Sequence, residues 1–84
     1  MKSLADLAVG EAGIVREVEA ARGTRRRLLE LGLLPGTRVE VLRRAPLGDP
    51  LVVRLRAYSL SIRKREAARV VVDSPEVASG EEER

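Results

Sequence analysis

The sequence predicts a mainly β domain, a small antiparallel barrel or sandwich. Three features point there. Apolar and polar residues alternate over several short stretches, which is the period of a half-buried strand. Only one segment, Thr24 to Gly36, has a complete helix start, body and stop. One short helix cannot supply the repeated crossovers that a parallel sheet needs, so neighbouring strands should run antiparallel.

Leu4 and Leu7, three apart and followed by Val9 and Gly10, predict a single helical turn or lead-in that packs on the domain before the first strand. Ala12 to Glu19 reads as a strand with Ile14, Val15 and Val18 apolar. Its alternation breaks once, which a bulge near Val15 reconciles. Downstream of the helix, Arg38 to Arg44 places Val39 and Val41 on one face and Arg38 and Glu40 on the other, with Leu42 out of phase. Ala45 to Pro50, APLGDP, is a loop by composition with Gly48-Asp49 at its tip, and should project from the sheet. Leu51, Val53 and Leu55 alternate with Val52, Arg54 and Arg56 in a third strand, as Leu60 and Ile62 do with Ser59, Ser61 and Arg63 in a fourth. Only Ala57 and Tyr58 separate these strands. Neither favours φ > 0, so the hairpin should not be a type I′ turn. Lys64 to Arg69 predicts one further helical turn and Val70 to Val72 a short closing strand. The domain then spans residues 1–73, and residues 74–84, SPEVASGEEER, are expected to form a disordered acidic tail.

Thr24 is the expected helix N-cap, with Gly23 ahead of it. Leu28, Leu29 and Leu31 supply the apolar face. Gly32 falls where the chain must turn left-handed to close the helix, and Leu33 should fold back on Leu28. Pro35 forbids continuation. With Gly36 free to take φ > 0, Leu34 to Thr37 predicts a type II turn into the next strand. Arg25, Arg26 and Arg27 are the anomaly. In a helix starting at Thr24 they crowd the first turn, where the dipole is already positive and each cation costs about 0.3–1 kcal/mol. Two readings stand: acids such as Glu17 or Glu19 offset them on a solvated face, or they form a contact surface for an acidic partner.

Composition narrows the function. At 84 residues the chain holds one small domain with a limited core. Its single aromatic, Tyr58, excludes the aromatic platforms that stack bases or grip proline-rich peptides. The absence of Cys and His removes disulfides, thiol chemistry, common zinc sites and histidine acid–base catalysis. A non-catalytic, cytosolic protein with no cofactor is expected. No apolar run approaches the roughly 18 residues that cross a bilayer, and Asp6 and Glu11 interrupt any signal peptide. Charge is segregated: from Asp73 onward five acids face Arg84 alone, −4, so residues 1–72 carry +7 of the total +3.

Gly10 and Gly13 are expected to be turn glycines, since the phosphate-loop signature is missing. Asp49 is expected to be a turn former whose carboxylate bonds its own backbone. Arg16, Arg54, Arg56, Arg63, Lys64 and Arg65 could line a nucleic-acid-binding face or the wet face of a sheet; without interleaved aromatics the second is favoured. Tyr58 is read either as an interface anchor or as a cap on the barrel end, ring buried and hydroxyl wet.

Leu4, Leu7 and Gly10, then Gly13-Ile14, RRRLLELGLLPG from Arg25 to Gly36, APLGDP, and YSLSIRKREAARVVV from Tyr58 to Val72 together resemble the ferrous iron transport protein A (FeoA) family over about residues 4 to 72. The resemblance implies an SH3-like antiparallel barrel of five or six strands with one short inserted helix and one further helical turn. It also implies a small accessory protein of ferrous iron uptake, cytoplasmic or peripheral at the inner membrane through a partner. That partner would be the cytosolic domain of a FeoB-type permease. The related barrel of iron-dependent repressors offers an alternative, a metal- or ligand-responsive regulatory domain, and a basic nucleic-acid-binding module is a weaker one. Ala57 departs from the family, which often has Gly before the aromatic. No catalytic, cofactor or metal residues carry over. The expected contact residues are Arg25, Arg26 and Arg27 on the helix, Leu47 and Asp49 in the APLGDP loop, and Tyr58.

Overall fold

The computed structural model describes residues 2–73. Six strands are present: β1 (Lys2–Ser3), β2 (Ala12–Val18), β3 (Arg38–Arg44), β4 (Leu51–Leu55), β5 (Tyr58–Ile62) and β6 (Val70–Val72). A 3₁₀ turn (Leu4–Asp6) follows β1, helix α1 (Arg22–Glu30) joins β2 to β3, and helix α2 (Lys64–Ala67) joins β5 to β6. The sheet order is β1-β6-β2-β3-β4-β5, and every neighbouring pair is antiparallel.

Curvature originates at β2. Its first half, Ala12 to Ile14, pairs with β3, whereas Val15 to Val18 pairs with β6, and the register slips between Val15 and Glu17. The extra residue of a bulge bends the strand and increases its twist, so one strand serves two sides of the barrel. A second slip between Val41 and Arg43 accounts for the out-of-phase Leu42. The valines and leucines that alternate inward form one cluster: Val15, Val18, Val39, Val41, Leu51, Val53, Leu55, Ile62, Val70 and Val72. Leu4 and Leu7 from the lead-in, Leu28 and Leu33 from the α1 region, and Ala67 of α2 complete it. The Arg44 guanidinium fastens the lead-in, donating to the carbonyls of Ala5 at 2.8 Å and Leu7 at 2.7 Å.

The helix exit matches expectation. Gly32 has φ +108°, its N–H donates to the Leu29 carbonyl at 3.0 Å, and the Leu33 N–H reaches the Leu28 carbonyl at 3.2 Å. This is the paired bonding of a Schellman cap, with Leu28 and Leu33 both buried. Thr37 N–H then closes on the Leu34 carbonyl at 3.0 Å with Gly36 at φ +93°.

The helix entry differs. The Arg25 N–H donates to the Ala21 carbonyl at 2.8 Å, so the ladder starts ahead of Gly23, Ala21 is the N-cap, and Thr24 is the third helical residue. The first-turn cation is therefore Arg22, and Arg27 lies in the last turn, where the dipole favours a cation. Two other expectations shift. Gly13 is a strand residue of β2, not a turn glycine. Tyr58 opens β5 opposite Leu55, leaving Arg56-Ala57 as the two-residue hairpin loop. Of that pair Arg56 alone has positive φ, +46°, which is not the type I′ pattern. The tail expected over residues 74–84 lies outside the described residues.

Candidate partner-docking face

Helix α1 places Arg22, Arg25, Arg26, Leu29 and Glu30 on one stripe, at i, i+3, i+4, i+7 and i+8. With Ala20 ahead of the helix and Leu34 from the turn behind it, they line an open groove of about 710 Å³. Its floor is apolar: Leu29 packs partly against the core, and Leu34 stays 48% exposed. Its rim is cationic. Arg26 Nε donates to Glu30 Oε2 at 3.3 Å, but both side chains are well exposed, so solvent screening leaves that pair worth little. Arg22 and Arg25 form no ion pair among the described residues. Two guanidinium groups thus border an apolar floor without an ion-pair partner among the described residues.

Arg27 faces elsewhere. It pairs with Glu66 of α2, whose side chain is only 18% exposed, and this bond holds the Glu66 carboxyl below the usual carboxylate range. The acids that answer the arginine triplet are therefore Glu30 and Glu66. Glu17 and Glu19 face each other instead: the hydrogen bond to Glu17 and its charge raise the Glu19 carboxyl. Arg27 thus acquires a structural role, tying α1 to α2.

The other expected contact residues lie apart from the groove. Leu47 stands 93% exposed in the β3–β4 loop. Asp49 does not close a turn on its own backbone; its Oδ1 accepts the Lys64 N–H at 2.9 Å, satisfying a free donor at the start of α2. Turn closure is left to the backbone, with the Gly48 N–H donating to Ala45 at 2.7 Å. Tyr58 reverses the cap expectation, because the residue is 47% exposed while its hydroxyl donates to the Leu31 carbonyl at the end of α1.

Of the six residues, then, only Arg25 and Arg26 share the groove. Arg27 lines a separate hollow of about 440 Å³ with Pro50, Ser61, Arg63, Arg65 and Glu66, on the side where Asp49 meets α2. Sequence reading missed Arg22, Leu29 and Leu34 as surface groups. The helical spacing of Arg22, Arg25, Arg26 and Leu29 was the available signal, and the misplaced helix start concealed it. Among the described residues no group of three or more carboxylates, His or Cys converges as a metal site.

The family model for the FeoA domain matches residues 2–74. A Porphyromonas gingivalis protein, the Fe(2+) transport protein A/Fe(2+) transporter FeoB fusion protein, is 34% identical over 70 residues, or 83% of this chain, and the chain spans 8% of that protein's length. FeoA of Stenotrophomonas maltophilia, a prokaryotic SH3 domain protein solved with zinc, superimposes with a TM-score of 0.77 at 34% identity, covering 87% of this chain and 91% of that one. A manganese-dependent transcriptional repressor gives a TM-score of 0.78 at 20% identity, over 87% of this chain and 41% of that chain. At that identity the likeness is one of fold. The described barrel is accordingly SH3-like.

Proposed function

The chain belongs to the FeoA domain family, and from that premise we propose that it is an accessory module of ferrous iron uptake that docks on the cytosolic domain of a FeoB-type permease. One observation carries the reading: in the P. gingivalis relative the transport protein A and the FeoB transporter form one polypeptide. Joining two modules raises their effective concentration for each other to about the millimolar range, a gain that matters when the two work at one place. On this reading the module works from the cytoplasm through its partner; separately, no helix among the described residues is long and apolar enough to cross a membrane.

The α1 groove suits such docking. Interfaces combine an apolar centre with a polar rim and favour Arg, and here Leu29 and Leu34 supply the centre and Arg22, Arg25 and Arg26 the rim. The fitting counterpart is an acidic segment carrying one or two apolar side chains. Occupying the groove would bias the permease's conformational or nucleotide cycle by differential binding to its states.

Calorimetry of the full chain against the permease's soluble domain tests this. The double variant Arg25→Gln/Arg26→Gln should lose about tenfold in affinity, ~1.4 kcal/mol, and wild-type binding should weaken as salt is raised. Unaltered affinity in that variant would remove the groove from the proposal. Failure of the wild-type chain to bind would remove the permease.

A further inference from the structure

The hollow beside α2 shares no residue with the α1 groove. Arg27 of α1, Pro50 ahead of β4, Ser61 of β5, and Arg63, Arg65 and Glu66 around α2 line its 440 Å³, a volume within the range of about 300–1,000 Å³ usual for small-molecule sites. Strand alternation sets Ser61 and Arg63 on one side of the chain and sends Ile62, between them, into the core. Two contacts between distant segments fix the walls. Arg27 pairs with Glu66 and ties α1 to α2. Asp49 Oδ1 accepts the Lys64 N–H at 2.9 Å, holding the Asp49-Pro50 end of the β3–β4 loop against α2. Walls pinned before a ligand arrives lose little freedom when it binds.

The charges lining this hollow do not balance. Glu66 answers Arg27, which leaves Arg63 and Arg65. Neither forms an ion pair among the described residues; Arg65 only adds its field to that of Arg27 on the Glu66 carboxylate. Three guanidinium groups against one carboxylate leave a net +2, and Lys64 and Asp49 beside it cancel each other. The exposed Ser61 hydroxyl makes no hydrogen bond among the described residues, so it too is available as a donor. Guanidinium forks match the oxygens of a phosphate group, giving each oxygen pair two charge-assisted bonds. A phosphate monoester carries about −1.5 to −2 at pH 7 and three acceptor oxygens. It therefore balances both arginines and retains acceptor capacity for Ser61. A carboxylate or a phosphodiester brings a single charge and leaves one guanidinium unanswered.

We propose that this hollow binds a phosphate dianion, free or as the monoester end of a small soluble molecule, with Arg63 and Arg65 gripping its oxygens, Ser61 donating to it, and the Arg27–Glu66 pair holding the wall. The APLGDP loop then has a role on this side of the barrel: Asp49 positions Pro50 and α2 around the anion. Because the hollow and the α1 groove are separate surfaces, the inference stands independently of the permease reading.

The test follows amide resonances of the full isotope-labelled chain while inorganic phosphate, glycerol phosphate or acetate is added at constant ionic strength, held with chloride so that screening does not change. Both phosphates should displace Ser61 and Arg63 to Glu66 saturably, and acetate should bind about tenfold more weakly, having one charge to offer. Tighter binding of glycerol phosphate than of inorganic phosphate marks the monoester as the ligand; the reverse order marks free phosphate. Arg63→Gln/Arg65→Gln should weaken phosphate by about tenfold or more. Arg54→Gln/Arg56→Gln removes the same charge from exposed residues outside the hollow and should leave the affinity unchanged. Acetate binding as tightly as phosphate would overturn the proposal in the wild-type chain alone. So would displacements that do not saturate, displacements centred on Arg22, Arg25 and Arg26, or an equal loss in the two variants, which would mean attraction to net charge only.

Discussion

Gly32 and Tyr58 offer the most exacting check on how the barrel holds its helix. Gly32 sits at φ +108°, and a Cβ built there would collide with the Tyr58 hydroxyl and approach Leu55 Cδ1 to 3.3 Å. Gly32→Ala therefore carries two separable costs. Holding a non-glycine residue in left-handed backbone costs about 1–3 kcal/mol. Displacing the Tyr58 hydroxyl from the Leu31 carbonyl forfeits a hydrogen bond worth about 0.5–1.5 kcal/mol. The total, about 2–4 kcal/mol, is a large part of the ~4–12 kcal/mol expected for a domain of this size. Tyr58→Phe alone should cost only the hydrogen bond. In the Tyr58→Phe background, Gly32→Ala should then be cheaper by about 1 kcal/mol, because the hydroxyl it would displace is gone. Urea unfolding of the four proteins in this cycle measures the coupling. A Gly32→Ala penalty equal in the two backgrounds would refute the collision, and a penalty below about 1 kcal/mol would refute the backbone strain as well.

Three further outcomes follow from the same geometry. Leu28→Ala should cost about 2–5 kcal/mol by opening a cavity in the core, well above Leu29→Ala on the half-buried side, as read by thermal or urea unfolding. Asp49→Ala should lose about 0.5–2 kcal/mol by freeing the Lys64 N–H, with faster hydrogen exchange in Lys64 to Ala67 as the local signature. The Glu66 carboxyl is held low by Arg27, so the folded state binds a proton there less readily than the unfolded chain. Its contribution is full above the ordinary value of 4.5 and fades as pH falls through the lower folded value. Stability curves of wild type and Glu66→Gln, separated by about 1 kcal/mol near pH 7, should therefore draw together as pH falls below 4.5; a constant gap would count against the ion pair.

Local chemistry was legible in the sequence wherever it is self-contained. The Gly32 exit, the Pro35-Gly36 turn, the bulge near Val15 and the phase break at Leu42 each depend on a few consecutive residues, and all appear as expected. Charge placement was less legible. The helix start slipped because Thr24 resembles a cap while Ala21 supplies the first carbonyl, and that slip moved the arginines relative to the dipole. Sequence also set Arg25, Arg26 and Arg27 side by side as one cluster. In a helix, consecutive residues point about 100° apart, so Arg27 reaches Glu66 while Arg25 and Arg26 border the groove.

What the sequence determined by itself was the order and type of elements from the Leu4 lead-in onward, though not the short β1 strand ahead of it, the composition of an aliphatic core, and the exclusion of thiol and histidine chemistry. Tertiary structure decided which polar groups are committed. Asp49 answers a donor fifteen residues away, the Tyr58 hydroxyl a carbonyl across the fold, Arg44 the carbonyls of the lead-in, and Glu66 an arginine on another helix. The reason is range. Backbone propensity and apolar periodicity act over a turn or a strand. The partner of a charge depends on which distant segments the barrel brings within about 3 Å, and that distance exists only once the core has closed.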